Sequence, residues 1–252
     1  MSFVQATFNN AALWAFITGF GEGVNDLRCH VADMRLKGSV DTTTHYFTKS
    51  INVLMEEYKA GVVNIPDVHK VGAFLKSCKE DNTTLRYVGN TLTLKNGNDE
   101  FSTPSHDHIM SYTTVGRAEQ AISAAKKNSW KKLGRADLEC HGNFSTEDIQ
   151  GLSSMTKVVG KDAPVKVRLA DNEMTITAGN QRGAKMSRQI NVDVNAQEQE
   201  CETVFGSHFP KLLNLMSSGT ILFHMGNKSA LVLDHSDIQQ TLVLKHQEGA
   251  DK

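Results

Sequence analysis

The order of predicted helices and strands occurs twice along the chain, and this repeat limits the fold more than any other feature of the sequence. Residues 50–53 (Ser-Ile-Asn-Val) match residues 189–192 (Gln-Ile-Asn-Val), and a Gly-Asn turn follows a strand in each half, at Gly89 and at Gly226. Each half contains, in order, a helix, strands, a second helix and three closing strands. Self-similarity of this kind indicates an internal duplication. We therefore predict two similar domains.

In the first half, residues 8–20 are rich in apolar residues and predict a helix that ends at the glycines following it. No strand is predicted ahead of this helix. Strands are predicted at residues 27–36 and 44–53, and Asp67 is a predicted N-cap of a second helix that reaches Lys79. Three strands, joined by Gly-Asn and Asn-Gly turns, are predicted at residues 84–88, 91–94 and 100–103.

The second half is predicted to begin with a strand at residues 137–141. A helix is predicted to open at Ser145, where Asp148 is spaced to form a near capping box, and to carry an apolar stripe from Ile149 to Val159. A shorter helix is predicted near Ser207. The remaining predicted strands are residues 165–169, 173–177, 185–194, 220–224, 230–233 and 241–245.

These elements divide the chain into an N-terminal domain (1–112), a connector (113–134) and a C-terminal domain (135–252). The stretch from Gly116 to Arg135 carries six basic residues and one acidic residue, whereas the formal net charge of the chain is −1. A protein that holds DNA by affinity alone is usually strongly basic. The near-neutral charge argues against such a protein, but not against one that holds DNA by topology.

The composition is that of a globular protein, with 39% hydrophobic and 22% charged residues. Apolar runs are too short to span a bilayer, and no export signal precedes the first helix. The four cysteines are far apart and form no C-x-x-C pair, so we expect reduced, buried thiols in a cytoplasmic protein.

No sequence motif predicts an enzyme, a cofactor or a metal. The glycines at positions 19, 21 and 23 follow a predicted helix rather than a strand, which favours a helix stop over a nucleotide loop. His106 and His108 flank Asp107, but no third metal ligand is evident nearby. The motifs of nucleophilic hydrolases, zinc proteases and P-loop proteins are absent from the sequence.

The chain resembles the DNA sliding clamps of T-even-type tailed phages and, more distantly, the proliferating cell nuclear antigen family. The resemblance rests on residues 43–46 leading into 50–53, on the helix at 67–75 and on the hairpin at 85–94. It implies an α+β fold, the DNA clamp fold, in which two similar domains each pack two helices against antiparallel sheets. It also implies a non-enzymatic processivity factor that forms a head-to-tail homotrimeric ring around duplex DNA. The long basic connector departs from this pattern, because part of it can form a helix, whereas a typical clamp connector is extended.

In such a ring the helices line the hole, and DNA must pass through it without being gripped. Mobile lysine ammonium groups suit this better than the rigid fork of arginine, because they contact phosphates without reading bases. The first predicted helix carries no Lys or Arg, and the connector lysines are candidates for contacts near the rim. The predicted pore-facing residues are Lys70, Lys76, Lys79, Lys157, Lys161 and Lys211.

The resemblance also implies a hydrophobic pocket near the connector and the last strand. It binds short peptides from the DNA polymerase and the clamp loader. The candidate wall residues are Leu36, Met110, Tyr112 and Leu244. For a phage-encoded clamp the expected location is the cytoplasm of the host cell.

Two other classes of protein remain open on the sequence alone. One is a β-rich virion protein, such as a tail or capsid component, which forms extended assemblies rather than small rings. The other is a single-strand DNA-binding protein, which needs aromatic residues clustered on a basic groove. Aromatic residues make up only 7% of the chain, and most phenylalanines lie at positions typical of a core.

Overall fold

The computed structural model describes residues 3–21, 23–105, 109–179, 183–194 and 200–247. The chain forms two units, one made of Met1–Val40 and Phe47–Val115 and the other of Asp41–Tyr46 and Gly116–Lys252. The border between Val115 and Gly116 lies within the residues predicted as the connector. The segment Asp41–Tyr46 lies in the first half of the chain but belongs to unit 2.

Unit 1 contains two antiparallel sheets with strand orders β1-β6-β7-β8 and β4-β3-β2-β5. Two helices accompany them, and a third helix begins at the end of the unit. In chain order the elements are β1 (Phe3–Asn9), α1 (Asn10–Thr18), β2 (Leu27–Ala32), β3 (Arg35–Asp41), β4 (His45–Asn52), β5 (Gly61–Ile65), α2 (Val68–Ser77), β6 (Asn82–Val88), β7 (Thr91–Asn96), β8 (Asp99–Pro104) and α3 (Ile109–Lys127).

Unit 2 contains a small hairpin and two larger antiparallel sheets, with strand orders β15-β11-β17-β18-β19 and β14-β13-β12-β16. The elements after α3 are β9 (Lys132–Leu133), β10 (Ala136–Asp137), β11 (Cys140–Ser145), a 3₁₀ turn (Leu152–Ser154), α4 (Met155–Val159), β12 (Val165–Ala170), β13 (Glu173–Gly179), β14 (Lys185–Asn191), β15 (Asp193–Val194), β16 (Cys201–Phe205), α5 (Phe209–Leu213), β17 (Thr220–Met225), β18 (Ala230–His235), a 3₁₀ turn (Ser236–Ile238) and β19 (Gln240–Lys245).

The two units repeat one plan of ten elements. The first strand, β1 or β11, pairs with the strand after the second helix, β6 or β17, and two further strands extend that sheet. The other four strands form the second sheet in the same order, so β4 corresponds to β14, and β8 corresponds to β19. The helices α1 and α2 correspond to α4 and α5. The predicted duplication of helices and antiparallel sheets is confirmed.

The absence of a first strand in the N-terminal half was a wrong prediction, because β1 fills that position. Val4, Ala6 and Phe8 alternate with more exposed residues and are at most 1% exposed, as expected for a strand with one buried face. The helix begins only at Asn10, since the side chain of Asn9 accepts a hydrogen bond from the Ala12 N–H at 3.0 Å and caps it.

The predicted helix after Ser145 is largely replaced by turns. The Ser145 N–H donates to Asp148 Oδ2 at 3.0 Å, so the expected capping contact forms. Gly151 has a φ of 79°, in the left-handed region, and this interrupts any regular helix before the 3₁₀ turn and α4. Ile149, Leu152 and Met155 are nevertheless buried, as their apolar spacing indicates.

The second helix of unit 1 forms where the sequence predicts it. Asp67 has a φ of 47° and accepts a hydrogen bond from the Lys70 N–H at 3.1 Å, which satisfies one of the free amides of the first turn. Val68, Val71 and Leu75 are buried on one face of α2. The helix ends at Ser77, close to the predicted end at Lys79.

Cys140 and Cys201 form a disulfide with their Cα atoms 6.7 Å apart, which corrects the expectation of four reduced thiols. The bond joins β11 to β16, which belong to different sheets of unit 2. A separation of 61 residues gives no local signal of this proximity. Cys29, which is buried, and Cys78 are not disulfide-bonded.

A buried asparagine closes the end of the β1-β6-β7-β8 sheet. Asn96 is 2% exposed, and the two N–H groups of its Nδ2 are shared among three acceptors, Glu80 O at 2.8 Å, Asn82 O at 2.9 Å and Thr83 Oγ1 at 3.0 Å. Its Oδ1 accepts from the Glu80 N–H at 3.0 Å. One side chain therefore satisfies the backbone between α2 and β6.

We expect Asn96→Ala to lower the free energy of unfolding by about 2–3 kcal/mol, because it leaves buried donors and acceptors without partners. Chemical denaturation followed by circular dichroism measures the change. Asn98→Ala is the matched control, since Asn98 lies in the adjacent turn and is exposed. Equal stability of the two variants would contradict the assigned network.

Candidate functional site

An apolar cavity of about 200 Å³ lies in unit 2 at the end of β19. We call it the α5 cavity. Strand β16, helix α5, strand β19 and the segment before β4 all contribute to it. Its apolar lining consists of Phe205, Phe209, Leu212 and Leu244. The other lining residues are Thr43, Thr44, Gly206, His208, Lys245, His246 and Gln247.

One wall of the cavity forms where the chain turns from β16 into α5. The Phe209 N–H donates to Gly206 O at 3.0 Å, so the helix starts directly after the strand. The rings of Phe205 and Phe209 stack with their centroids 4.9 Å apart and an angle of 18° between their planes. Pro210 occupies the first turn of α5, where its missing N–H costs no helical hydrogen bond. This wall is therefore fixed by aromatic packing and a short rigid helix.

The opposite wall is the segment Asp41–Tyr46, which lies along β19. The Lys245 N–H donates to Thr44 O at 2.9 Å, and Lys245 Nζ lies 2.6 Å from Asp41 Oδ1. The same ammonium group also donates to Thr42 O. Lys245 thus fixes this segment through both its backbone and its side chain.

His45 is buried next to the lining residue Thr44 and does not itself line the cavity. Burial lowers its pKa by removing water from the ring, and the nearby Lys245 ammonium lowers it further. Its Nδ1 lies 3.0 Å from Thr42 Oγ1 and 3.1 Å from Thr44 Oγ1. The ring is therefore neutral at pH 7, and the Lys245 charge is matched by Asp41. The cavity suits an uncharged apolar group.

The size of the cavity limits what it can bind. Pockets for whole drug-sized ligands or cofactors occupy roughly 300–1,000 Å³, more than the 200 Å³ available. One or two apolar side chains of a peptide fit this space better.

Within the described ranges, no group of three or more His, Cys, Asp or Glu residues could hold a metal ion, and residues 106–108 lie outside those ranges.

Of the four predicted pocket residues, Leu244 lines the α5 cavity. Leu36 is fully buried in β3, in the core of unit 1. Met110 and Tyr112 lie on α3, but their side chains are outside the described part of the structure. The assignments of Leu36, Met110 and Tyr112 to a peptide pocket stay predictions. Phe205, Phe209 and Leu212 also line the cavity, and they were not assigned to the pocket from the sequence.

The six predicted pore lysines are all exposed. Lys70 and Lys76 lie on α2, and Lys79 follows it; Lys157 lies on α4, Lys161 follows it, and Lys211 lies on α5. Lys70 forms an ion pair of 2.6 Å with Asp67. The helices α1, α2, α4 and α5 contain no Asp or Glu, although the chain has 28 such residues. Each repeated unit therefore has helices of purely positive or neutral character.

Two of the connector lysines have partners in unit 2. Lys126 Nζ lies 2.9 Å from Asp234 Oδ1, and Lys132 Nζ lies 3.1 Å from Asp137 Oδ1. Lys126 also lies over the ring of Trp130, which stacks on His224. The C-terminal end of α3 is thus held by the Lys126–Asp234 ion pair and by aromatic packing, and a role of the connector lysines near a ring rim stays a prediction.

Strands β8 and β14 end their sheets among the described residues. The exposed charges of β8 are Asp99 and Glu100, whereas those of β14 are Lys185 and Arg188. The Arg188 guanidinium donates one hydrogen bond to Gln150 O and keeps further donors available. The two edge strands therefore carry opposite charge.

In the described part of the chain, no helix is long and apolar enough to cross a membrane. No protein-family model and no curated protein matches the sequence.

Solved structures of bacterial clamps do match the fold. The DNA polymerase sliding clamp of Pseudomonas aeruginosa superposes with a TM-score of 0.72 at 12% identity, covering 97% of this chain and 66% of that one. The Helicobacter pylori beta clamp bound to a DNA ligase peptide superposes with a TM-score of 0.71 at 12% identity, covering 97% of this chain and 67% of that one. The Thermotoga maritima DNA polymerase III beta subunit superposes with a TM-score of 0.70 at 11% identity, covering 97% of this chain and 65% of that one. The chain spans about two thirds of the length of these proteins, and its fold is the DNA clamp fold that the sequence predicts.

Proposed function

We propose that this protein is a sliding clamp, a non-enzymatic processivity factor that encircles duplex DNA and tethers a DNA polymerase. The observation that carries the proposal is the duplicated clamp unit in which α2, α4 and α5 bear lysines and none of α1, α2, α4 and α5 has an acidic residue. A chain with a net charge of −1 is poorly suited to hold DNA by affinity. A ring needs only weak phosphate contacts, because a closed ring cannot dissociate sideways from the duplex.

The internal repeat supports head-to-tail closure. Inside unit 2, the outer edge of β19 is covered by the segment that starts β4. Strand β8 is the equivalent of β19, and β14 is the equivalent of β4, so the same contact can form between β8 of one copy and β14 of the next. Heterologous contacts of this kind close into rings when the rotation fits, and we propose a homotrimer.

The register of this contact follows from the repeat. Pro104 ends β8 as Lys245 ends β19, and residue 183 corresponds to Thr44 through the repeated 50–53 and 189–192 segments. With antiparallel pairing, Asp99 lies opposite Arg188, so the opposite charges of the edges meet. Pro104 has no N–H and cannot repeat the bond from Lys245 to Thr44. The contact between copies is then one hydrogen bond weaker, which suits a ring that must open.

The α5 cavity is the proposed docking site for peptides of the polymerase and the clamp loader. The Helicobacter pylori beta clamp is a protein solved with a DNA ligase peptide bound, and the apolar lining described here suits an apolar anchor of a comparable peptide. Burial of one such side chain contributes about 1.5–3 kcal/mol.

We further propose a phage origin and the host cytoplasm as the place of action.

The native mass tests the ring. We expect about three times the chain mass of 27.7 kDa, measured by light scattering. Arg188→Asp is expected to give monomers, because it places two carboxylates opposite each other. Combining it with Asp99→Arg restores the pair and the trimer. Lys228→Glu, a charge reversal in an exposed turn, serves as the control. Extended assemblies, or no rescue by the double variant, would count against the ring.

Charge reversal tests the DNA path. We expect Lys70→Glu, Lys76→Glu and Lys157→Glu together to shorten the products of processive synthesis severalfold, since three phosphate contacts per copy become repulsive. Product length on a primed circular template measures this with the cognate polymerase and loader. Reversal of Lys37, Lys95 and Lys228, which are exposed and outside the helices, is the control. An unchanged product length in a stable trimer would refute the assignment.

A charged residue in the cavity tests peptide docking. We expect Leu212→Asp to weaken binding of labelled polymerase and loader peptides by roughly tenfold or more, because it puts a carboxylate against the apolar anchor. Fluorescence anisotropy measures the affinity. Leu215→Asp is the control, since Leu215 follows α5 and does not line the cavity. Equal affinity in both variants would place the peptide elsewhere.

A further inference from the structure

The exposed face of α1 differs from that of the other helices because it presents an indole ring and no charge. Trp14 is 38% exposed, and Ala11, Ala12, Ala15 and Thr18 are exposed around it. The helix contains no Lys, Arg, Asp or Glu. Trp14 is therefore an aromatic side chain available to a partner on an otherwise small and uncharged helix face.

Trp14 lies on the side of α1 that borders the groove between α1 and α2. Asn10, Trp14 and Thr18 are spaced by four residues and share one stripe of α1. At one end of the stripe, Asn10 Nδ2 donates to Leu75 O of α2 at 2.9 Å. At the other end, a Cβ added to Gly72 of α2 would lie 2.9 Å from Thr18 Cγ2. Trp14 is midway between Asn10 and Thr18 in the sequence and therefore shares the stripe of α1 that faces α2.

The exposed side of α2 is cationic, although the exposed acid Asp81 lies at the start of α1, where its C=O accepts from the Asn10 N–H at 2.7 Å. The exposed residues of α2 include His69, Lys70, Ala73 and Lys76, and Lys79 follows the helix. Neither helix contains an acidic residue. Asp67, the N-cap of α2, is paired with Lys70 at 2.6 Å, which leaves Lys76 and Lys79 as further cations of this surface. An apolar centre with a basic border complements a polyanion that also has apolar surface.

The sugar–phosphate backbone of DNA has this chemistry, because its phosphates are anionic and its deoxyribose rings expose C–H groups. An indole can lie against the sugar while its N–H donates to a phosphate oxygen. Base stacking of a single strand needs an open aromatic face, whereas most of the Trp14 surface is covered. The groove therefore favours the backbone of a duplex over unpaired bases.

We propose that Trp14 is a DNA-contact residue and that the α1–α2 groove seats the backbone of duplex DNA. This inference rests on the proposed clamp function and adds to it an apolar contact that the lysines alone do not provide. It also accounts for the lack of cations on α1.

The test uses the two tryptophans of the chain, Trp14 and Trp130. Trp130 is only 7% exposed. In Trp130→Phe, the emission comes from Trp14 alone, and in Trp14→Phe it comes from Trp130. Each full-length variant, checked for native mass and circular dichroism, is titrated with a short blunt duplex at low salt. Anisotropy of the labelled duplex reports binding, and acrylamide quenching reports the exposure of the indole.

We expect the duplex to protect Trp14 from acrylamide and to leave Trp130 unchanged. Trp14→Ala is expected to weaken duplex binding roughly threefold to tenfold, with the trimer intact. Binding without protection of Trp14 would overturn the inference and leave the clamp proposal standing. Stronger protection by a single-stranded oligonucleotide would overturn the duplex assignment. A monomer that binds no duplex would defeat both proposals.

Discussion

An edge strand exposes a row of backbone N–H and C=O groups, and what covers these groups decides how a sheet protein is built. In unit 2 the outer edge of β19 is covered by the segment Asp41–Tyr46, and Lys245 fixes that cover through its N–H and its ammonium group. Duplication supplies the same kinds of edge again in β8 and β14. A chain with two such units therefore has one covered edge, at β19, and two edge strands, β8 and β14, that no other described strand covers.

Charge in this protein is organised by element rather than by total. The net charge of −1 conceals four helices without acidic residues, α1, α2, α4 and α5, and edge strands of opposite sign. Fields that act over a Debye length of about 8 Å depend on such local arrangements. Local patches of positive and negative charge can thus coexist in a nearly neutral chain. A uniformly basic chain would attract DNA more strongly but would repel its own copies.

Local signals were sufficient for part of the fold. Asp67 and the Asn-Gly turn at Gly97 predict their elements correctly, because N-caps and tight turns depend on neighbouring residues. Strand β1 was missed although Val4, Ala6 and Phe8 alternate, because the apolar run that follows obscured the period of two. Helix α4 is shorter than predicted since Gly151 adopts a left-handed conformation that a stripe of apolar residues does not reveal.

The candidate site was less predictable because it depends on contacts between distant segments. Leu244 was assigned to a pocket, but Phe205 was not, since its role requires α5 and the segment at residues 41–46 to approach β19. The bond between Cys140 and Cys201 likewise depends on two sheets facing each other. The exposed lysines could be predicted from the helix sequences. In contrast, the contacts of Asn10 and Thr18 with α2 were needed to show that the stripe containing Trp14 faces α2.

Because Asp41–Tyr46 belongs to unit 2, that unit is not a continuous stretch of sequence. A fragment beginning at Gly116 would lack this piece of chain, so Lys245 would lose Asp41 and the apolar lining around Leu244 would meet water. Such a fragment would expose the unpaired backbone N–H and C=O groups of β19 and would tend to associate with itself. The association of such a fragment would reflect an edge that the 252-residue chain keeps covered.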